Sequence, residues 1–452
     1  MADRPRIVIV GAGFAGLAAA KELRRSSCEV VVLDRKNHHT FQPLLYQVAS
    51  AALSPADIAA PIRRILRRQR NTRVVLGEVD TIDPVGKTVS VGGETVAFDF
   101  LILATGATHS YFGHDSWAVY APGLKTIEDA LQIRRRVLSA FEVAENTRDE
   151  GERRAAMTFA IIGAGPTGVE MAGALAEIAL NVIRADYRSI DTASARVILI
   201  EAADRILPSM DADCSRHALS QLHSLGVSCW LGRKVTGIDP DGITLGSGEN
   251  AERLACRTVI WAAGVRASPL ASSLGIGTDP RGRLRVREDL SLEAYPDIFV
   301  IGDLAAATNP NGVEIPGVAP AAIQMGWHAG ETIARILAGS SGARRAFRYR
   351  DRGMLATIGR HRATGTIFGR RFHGFIAWVL WAWVHLFFLI GFRNRVIVMI
   401  QWAWNYLTHQ RGARLITDQN PCSSLGREPR TDRDAPIPCV NCTPPGTPRR
   451  TR

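Results

Sequence analysis

At 452 residues the chain is long enough for two or three packed domains, each with a core of its own. Its 46% hydrophobic residues and 41 glycines exclude a disordered or fibrous chain and suit an α/β protein. The net charge of +12, carried by 55 basic residues of which 50 are arginine, fits nucleic acid or an anionic membrane surface. No nucleic-acid motif appears, whereas a long apolar segment lies near the C-terminus, so the membrane is the better-supported partner and nucleic acid is not expected. Seven scattered cysteines, an odd number, argue against a disulfide framework.

An apolar strand pattern, Ile7-Val8-Ile9-Val10, begins almost at once, so no signal or transit peptide is expected ahead of it. A cytosolic start is expected, most simply in a bacterium. The strand runs into Gly11-Ala12-Gly13-Phe14-Ala15-Gly16 and a helical run from Leu17 to about Arg25. This is G-x-G-x-x-G between a strand and a helix. One glycine makes the tight turn, one lets backbone approach a pyrophosphate, and one packs helix on strand. The helix N-terminus then offers free N–H groups and a positive dipole end to the phosphates. A second strand, Glu29–Leu33, ends at Asp34, an acid placed to accept hydrogen bonds from ribose hydroxyls. A β-meander follows: Arg73–Asp83, a turn, Lys87–Val91, the Gly92-Gly93 hairpin, and an apolar strand closing at Gly106.

The theme then repeats. Thr158–Ile162 leads into Gly163-Ala164-Gly165-Pro166-Thr167-Gly168 and a helical run through Val169, Met171 and Leu175. A lone fingerprint is weak evidence; two in the same strand–turn–helix setting are strong. Glu170, just past the third glycine, reads either as a dipole-favoured surface acid or as a functional carboxylate. The strand Arg196–Ile200 ends at Glu201, which lies 38 residues after Gly163 against 23 for the first pair, so a loop is inserted around Ala185–Ser194. Glu201 would repel a 2′-phosphate and favours NADH over NADPH, with Arg205 as the nearby residue able to reverse that preference. Val235–Asp239, an Asp241-Gly242 turn, Ile243–Leu245 and a strand closing at Gly264 form the second meander. A further strand, Ile298–Ile301, ends in Gly302-Asp303, an acid suited to polyol hydroxyls or to a simple strand-end turn.

Near the C-terminus, Gly374–Phe392 holds nineteen residues with one polar side chain, His385. As a helix it would extend about 28 Å, close to the thickness of a bilayer core. A second apolar stretch, Val396–Leu407, carries Trp402, Trp404 and Tyr406, and arginines flank both. An interface-embedded helix pair, a transmembrane helix or hairpin, and a buried helix in a soluble dimer all fit this pattern. His385 reads as packed or interfacial. The tail beyond 415 is proline-rich and expected to be disordered; its Cys439 and Cys442 alone cannot complete a zinc site.

The paired folds, Ala104-Thr105-Gly106 and Gly302-Asp303 resemble the two-dinucleotide-binding flavoproteins. Within that superfamily Phe41–Ala49, Gly168–Gly173 and Pro316–Gln324 resemble segments of the type II NADH dehydrogenases, and the similarity covers roughly residues 5–415. The resemblance implies an α/β fold of two three-layer Rossmann-like domains with β-meanders, plus a C-terminal membrane-associating helical segment. It divides the chain into an FAD-binding domain (1–150 and 271–345), an NADH-binding domain (151–270), a membrane-associated segment (346–415) and a tail (416–452). FAD would be held by Gly11, Gly13, Gly16, Asp34, Phe41, Gln42, Gly106, Gly302 and Asp303, with Ala319 close by. NADH would be held by Gly163, Gly165, Gly168, Glu170, Glu201 and Gly264. The family's Ala-Gln-x-x-x-Gln quinone segment reads Ala319-Pro320-Ala321-Ala322-Ile323-Gln324, so Pro320 replaces one glutamine and Gln324, if not simply on a helix surface, keeps the other.

The implied activity is hydride transfer from NADH to FAD and delivery of two electrons to a quinone without ion pumping, with Glu170 and Gln324 as catalytic candidates. The protein would work at the cytoplasmic face of the bacterial plasma membrane, touching it through residues 374–407, with homodimerisation left open. His38 to Ser54 contains no cysteine, unlike the disulfide reductases of the superfamily. Two other functions stay open: an NADH-dependent reductase of a small electron carrier of the rubredoxin or ferredoxin type, and a flavoprotein that signals its redox state to a partner.

Overall fold

A computed structural model describes residues 4–408 and 410–417. Five parallel strands make the first sheet, in the order Ile298–Val300, Phe100–Leu103, Arg6–Val10, Glu29–Asp34, Thr72–Leu76. Ile7, Val8, Ile9, the run Val30–Leu33 and Leu101–Leu103 are wholly buried, as a parallel sheet covered on both faces requires. The second sheet repeats the plan with four parallel strands, Ser228–Trp230, Arg196–Ile200, Thr158–Ile162 and Thr258–Trp261.

Each sheet carries an antiparallel meander: Val79–Asp83, Thr88–Val91 and Glu94–Ala97 in one, Val235–Asp239, Gly242–Leu245 and Glu252–Ala255 in the other. Gly92 and Gly93 both have positive φ, +55° and +84°, the backbone that a two-residue hairpin loop demands. One expected element divides. Arg73–Asp83 is not a single meander strand: Thr72–Leu76 joins the parallel sheet and Val79–Asp83 starts the meander. The break falls at Gly77, whose N–H bonds to Asp34 O (2.9 Å) and where a Cβ would sit 2.4 Å from Val91.

The chain passes between the two sheets through Ala107–His109 and returns through Val265–Ala267, and these two segments pair antiparallel. Gly106 and Gly264 stand immediately before these crossings. A closing helix, Ala319–Leu337, lies along the first nucleotide helix, Phe14–Glu22. Gly326 and Gly330 allow that approach, since a Cβ on either would fall 2.2 Å from Ala15 O or 2.7 Å from Glu22 Cβ.

A three-stranded hairpin unit, Gly353–Thr357, Ala363–Ile367 and Arg370–His373, precedes two helices, Gly374–Phe388 and Phe392–Thr408. The expected nineteen-residue helix is therefore shorter. Its 15 residues span about 22 Å. Leu389 turns extended, Gly391 takes φ +97°, and Arg395 places its guanidinium on the carbonyls of Phe387 and Leu389, closing the helix end. Among the described residues no helix is long and apolar enough to cross a membrane, which corrects the transmembrane reading. Ile376, Val379, Trp383 and Phe387 recur at helical spacing on an exposed face, and Met399 and Trp404 of the next helix are exposed as well. Trp381 on the opposite face is buried. Cys439, Cys442 and most of the expected tail lie outside the described residues.

Candidate active site

The two fingerprints fold into matching geometry. Gly11 and Gly163 have φ +98° and +99°, and their N–H groups bond to Leu33 O (2.8 Å) and Ile200 O (2.7 Å). A Cβ on Gly16 would lie 1.8 Å from Gly11 O, and one on Gly168 would lie 1.9 Å from Gly163 O. These third glycines thus press helix against turn. The middle glycines differ: a Cβ on Gly13 or Gly165 would meet nothing within 4 Å, so each leaves open space in front of a helix N-terminus. That opening is where a pyrophosphate can lie against bare backbone N–H groups.

The strand-end acids match as well. Asp34 accepts from Ala12 N (2.6 Å) and Lys36 N (2.8 Å), while Glu201 accepts from Ala164 N (2.6 Å) and Ala203 N (3.0 Å). Both carboxylates are fixed by two backbone donors and retain lone pairs for a ribose. Arg205 donates to Pro208 O (2.7 Å), which keeps its guanidinium on its own loop.

The first cradle opens into a cleft of about 460 Å³. Gly11, Gly13, Asp34, Gln42, Gly106, Gly302, Asp303 and Ala319 all line it, so the structure gathers eight of the expected flavin residues at one place. Ala319 stands at the N-terminus of the closing helix, with Pro320 in the first turn, where its missing N–H leaves no bond unmade. Gly16 sits behind the cradle rather than in it. Phe41 is not on the wall either: it is buried beneath, edge-on to Phe14 (5.8 Å) and His385 (6.1 Å). Gly264 lies outside the cleft, against the Phe112 ring.

Three buried polar atoms on this wall, His38 Nε2, His39 Nε2 and Thr105 Oγ1, have no hydrogen-bond partner among the described residues. Burial pushes the His39 imidazole down to about 4, so it is neutral; Nδ1–H then donates to Ala12 O (3.1 Å) and Nε2 is left as an acceptor. Unsatisfied polar atoms at a wall, beside an open glycine cradle, fit a large polar ligand such as FAD.

Glu170 supplies the link between the folds. It belongs to the second nucleotide helix, Pro166–Glu177, yet it lines the first cleft together with Thr167. It is half-buried in that wall rather than on an open surface, and burial raises its carboxyl to about 8 against one opposing hydrogen bond from the Thr357 backbone. Beside it stands Tyr46, which the sequence marks only as one member of the Phe41–Ala49 segment. Gln47 Nε2 donates to Tyr46 Oη (2.9 Å) and Gln47 Oε1 accepts from Trp402 Nε1 (2.7 Å), so the tyrosine is tied to the terminal helix. Tyr46 also walls a smaller cavity of about 110 Å³, lined in part by Gln47, Trp378, Trp381, Trp402 and Tyr406.

Glu177 is a second residue that sequence reasoning missed, although its position two helical turns after Glu170 was a signal. It accepts from Arg411 Nη2 (3.0 Å), and Arg411 also donates to Ser50 O (2.8 Å). Gln324 is placed elsewhere than expected. Its amide clasps the backbone of Arg350, with Nε2 donating to O (3.1 Å) and Oε1 accepting from N (3.0 Å), and it does not line either cavity.

Residues 5–326 match the family described as pyridine nucleotide-disulphide oxidoreductase. The chain is 44% identical over 428 residues to the type II NADH:quinone oxidoreductase Ndh of Mycobacterium tuberculosis, covering 92% of this chain and 91% of that protein. It is 42% identical to the same organism's NdhA, with 92% and 90% covered. In fold it is similar to NDH2 of Plasmodium falciparum solved with NADH, with a TM-score of 0.81 at 20% identity over 89% of this chain and 98% of that one. A match across most of the length, at this identity, leaves one assignment: the chain belongs to the pyridine nucleotide-disulphide oxidoreductase family and, within it, to the type II NADH:quinone oxidoreductases.

Proposed function

We propose that the protein oxidises NADH and reduces a quinone through FAD, at a membrane surface and without moving ions. One observation carries the reading: Glu170, on the helix of the second cradle, lines the cleft of the first. A dinucleotide seated on Gly163–Gly168 therefore has its far end directed at the flavin site. When bound, FAD accepts the hydride and hands on two electrons.

The chain's own residues position and insulate. Gly13 and Gly165 receive the two pyrophosphates, Asp34 and Glu201 the riboses, and the Gly302-Asp303 turn and the Ala319 helix end close the flavin site. Glu170, protonated at neutral pH because it is buried, holds a proton where the two sites meet. Tyr46 accepts from Gln47 and keeps its own O–H free to donate to a quinone oxygen. The quinone enters by the aromatic cavity between the body and the two C-terminal helices, with Tyr46 as the wall common to both cavities. The exposed Ile376, Val379, Trp383 and Phe387 face rests in the interfacial layer of the cytoplasmic leaflet, where quinones dissolve.

FAD-loaded protein in detergent, mixed anaerobically with NADH and then a short-chain quinone, tests this. Flavin absorbance is bleached by NADH, only slowly by NADPH, and returns on adding quinone. Bleaching without return would move the search to a protein electron acceptor. Acidification of reconstituted vesicles that responds to an uncoupler would contradict the absence of ion transport.

A further inference from the structure

Away from both cavities, three metal-ligating side chains meet where the second nucleotide fold touches the root of the Trp-rich helix. Asp213 and His217 are four residues apart on the helix Ala212–Ser224 and so share a face. His373 ends the strand Arg370–His373 and is the N-cap of Gly374–Phe388. One ligand atom from each of the three lies within 4.8 Å of the others. His373 Nε2 is 3.1 Å from Asp213 Oδ2, and the rings of His217 and His373 are 3.9 Å apart between centroids.

The chemistry and the spacing agree. Two imidazoles and a carboxylate form a zinc-type donor set, and bonds of about 2.0–2.2 Å at tetrahedral angles put neighbouring ligand atoms roughly 3.3–3.5 Å apart. His373 and Asp213 are already near that separation. Arg216 Nη2 holds Asp213 Oδ1 (2.7 Å), which leaves Oδ2 toward the histidines. Thr364, fully buried, lies 2.8 Å from His373 Nδ1 and can accept its N–H, setting the tautomer that bares Nε2. Fixing the remote ring nitrogen in this way is a usual accompaniment of metal-bound histidine.

We propose that Asp213, His217 and His373 bind a divalent transition-metal ion of the zinc class, with a fourth position left to water. A donor set with two imidazoles discriminates against Mg²⁺ and Ca²⁺, which take oxygen ligands. The ion joins the NADH-side helix to the residue that caps the membrane-facing helix, so its occupancy sets how firmly that helix root is held. This inference is independent of the redox reading above.

The test is calorimetric titration of Zn²⁺, and separately Mg²⁺, into full-length FAD-loaded protein carrying Cys422→Ser, Cys439→Ser and Cys442→Ser, which removes the tail thiols as competitors. Expected is one saturable Zn²⁺ site per chain, no Mg²⁺ uptake, loss of the site in His217→Ala and His373→Ala, and affinity lowered roughly tenfold or more in Thr364→Val. Far-UV dichroism and a melting temperature matching the parent certify each variant as folded. His217 stands on the helix rather than in the hairpin, so its variant decides the matter even if removing His373 from Thr364 unfolds the hairpin. No saturable site, equal uptake of Mg²⁺, or an unchanged site in His217→Ala overturns the proposal.

Discussion

The two roles given to glycine within each fingerprint can be separated by a pair of one-methyl substitutions. Gly165 has φ −69° and open space where a Cβ would go, so alanine fits there without strain. The chain should lose nothing and gain about 0.4–1 kcal/mol from its stiffer unfolded state. The methyl nevertheless stands where the pyrophosphate approaches, and NADH affinity should fall by at least about tenfold, or ~1.4 kcal/mol. At Gly168 the order reverses. A Cβ 1.9 Å from the Gly163 carbonyl oxygen forces helix and turn apart. That costs roughly 1–3 kcal/mol as an overpacked contact, or a few degrees of Tm for each kcal/mol in a domain of this size. Thermal unfolding followed by near-UV dichroism, beside anaerobic NADH titration of the flavin, reads both quantities on both variants. Wild-type NADH affinity in Gly165→Ala would refute the cradle, and an unchanged melt in Gly168→Ala would refute the packing role.

Three further outcomes follow from the site. Glu170 stays protonated in the fold up to about 8 but ionises near 4.5 when unfolded, so stability should fall across that window by roughly 1.4 kcal/mol per pH unit; in Glu170→Gln the denaturant midpoint should lose this slope, and parallel curves for the two proteins would remove the buried-acid argument. Glu201→Gln deletes the charge facing a 2′-phosphate while keeping one acceptor, and the preference for NADH over NADPH in kcat/KM should shrink by roughly tenfold or more; an unchanged ratio would place selectivity elsewhere. Gln324→Ala removes two hydrogen bonds to Arg350 at a cost of about 1–2 kcal/mol, with quinone turnover held within about twofold; a large fall in turnover at unaltered stability would return Gln324 to the quinone.

What could be read from the residues was whatever local backbone geometry dictates. The G-x-G-x-x-G turns, the acids at Asp34 and Glu201 and the Gly92-Gly93 hairpin need particular residues at particular spacings, and each stands where the spacing put it. The features that escaped depend on partners distant in sequence. Gln324 sits at a motif position, but which way its amide turns is decided by Arg350, 26 residues on. Tyr46 becomes notable only when Gln47 meets Trp402, 355 residues away. Hydropathy counts apolar residues in Gly374–Phe392 correctly yet says nothing of the turn at Gly391 or of Arg395 folding back onto Phe387 and Leu389. Glu170 with Glu177 is the instructive intermediate case, since two acids on one stripe of an otherwise apolar helix are a sign of burial that the spacing alone carries.

The same cradle built twice must still treat two nucleotides differently, one retained through turnover and one exchanged. The glycine geometry cannot supply that difference, because φ, hydrogen bonds and close contacts agree between the copies. It lies in what later chain is laid over each. The first cleft is closed by Gly302-Asp303, Gly317 and the Ala319 helix end, all drawn from beyond residue 300 and held down by the Gly326 and Gly330 contacts with the first nucleotide helix. The second nucleotide helix meets a different neighbour: a Cβ on Gly173 would lie 2.8 Å from Gly359 N, and Arg411 reaches in to Glu177. Those contacts brace the end of the helix remote from its cradle. A nucleotide enclosed by a returning helix is retained, and one on an open cradle exchanges. The order of the chain, first fold, second fold, then return to close the first, therefore supports the proposed placing of the prosthetic group at Gly11–Gly16 and of the exchangeable substrate at Gly163–Gly168.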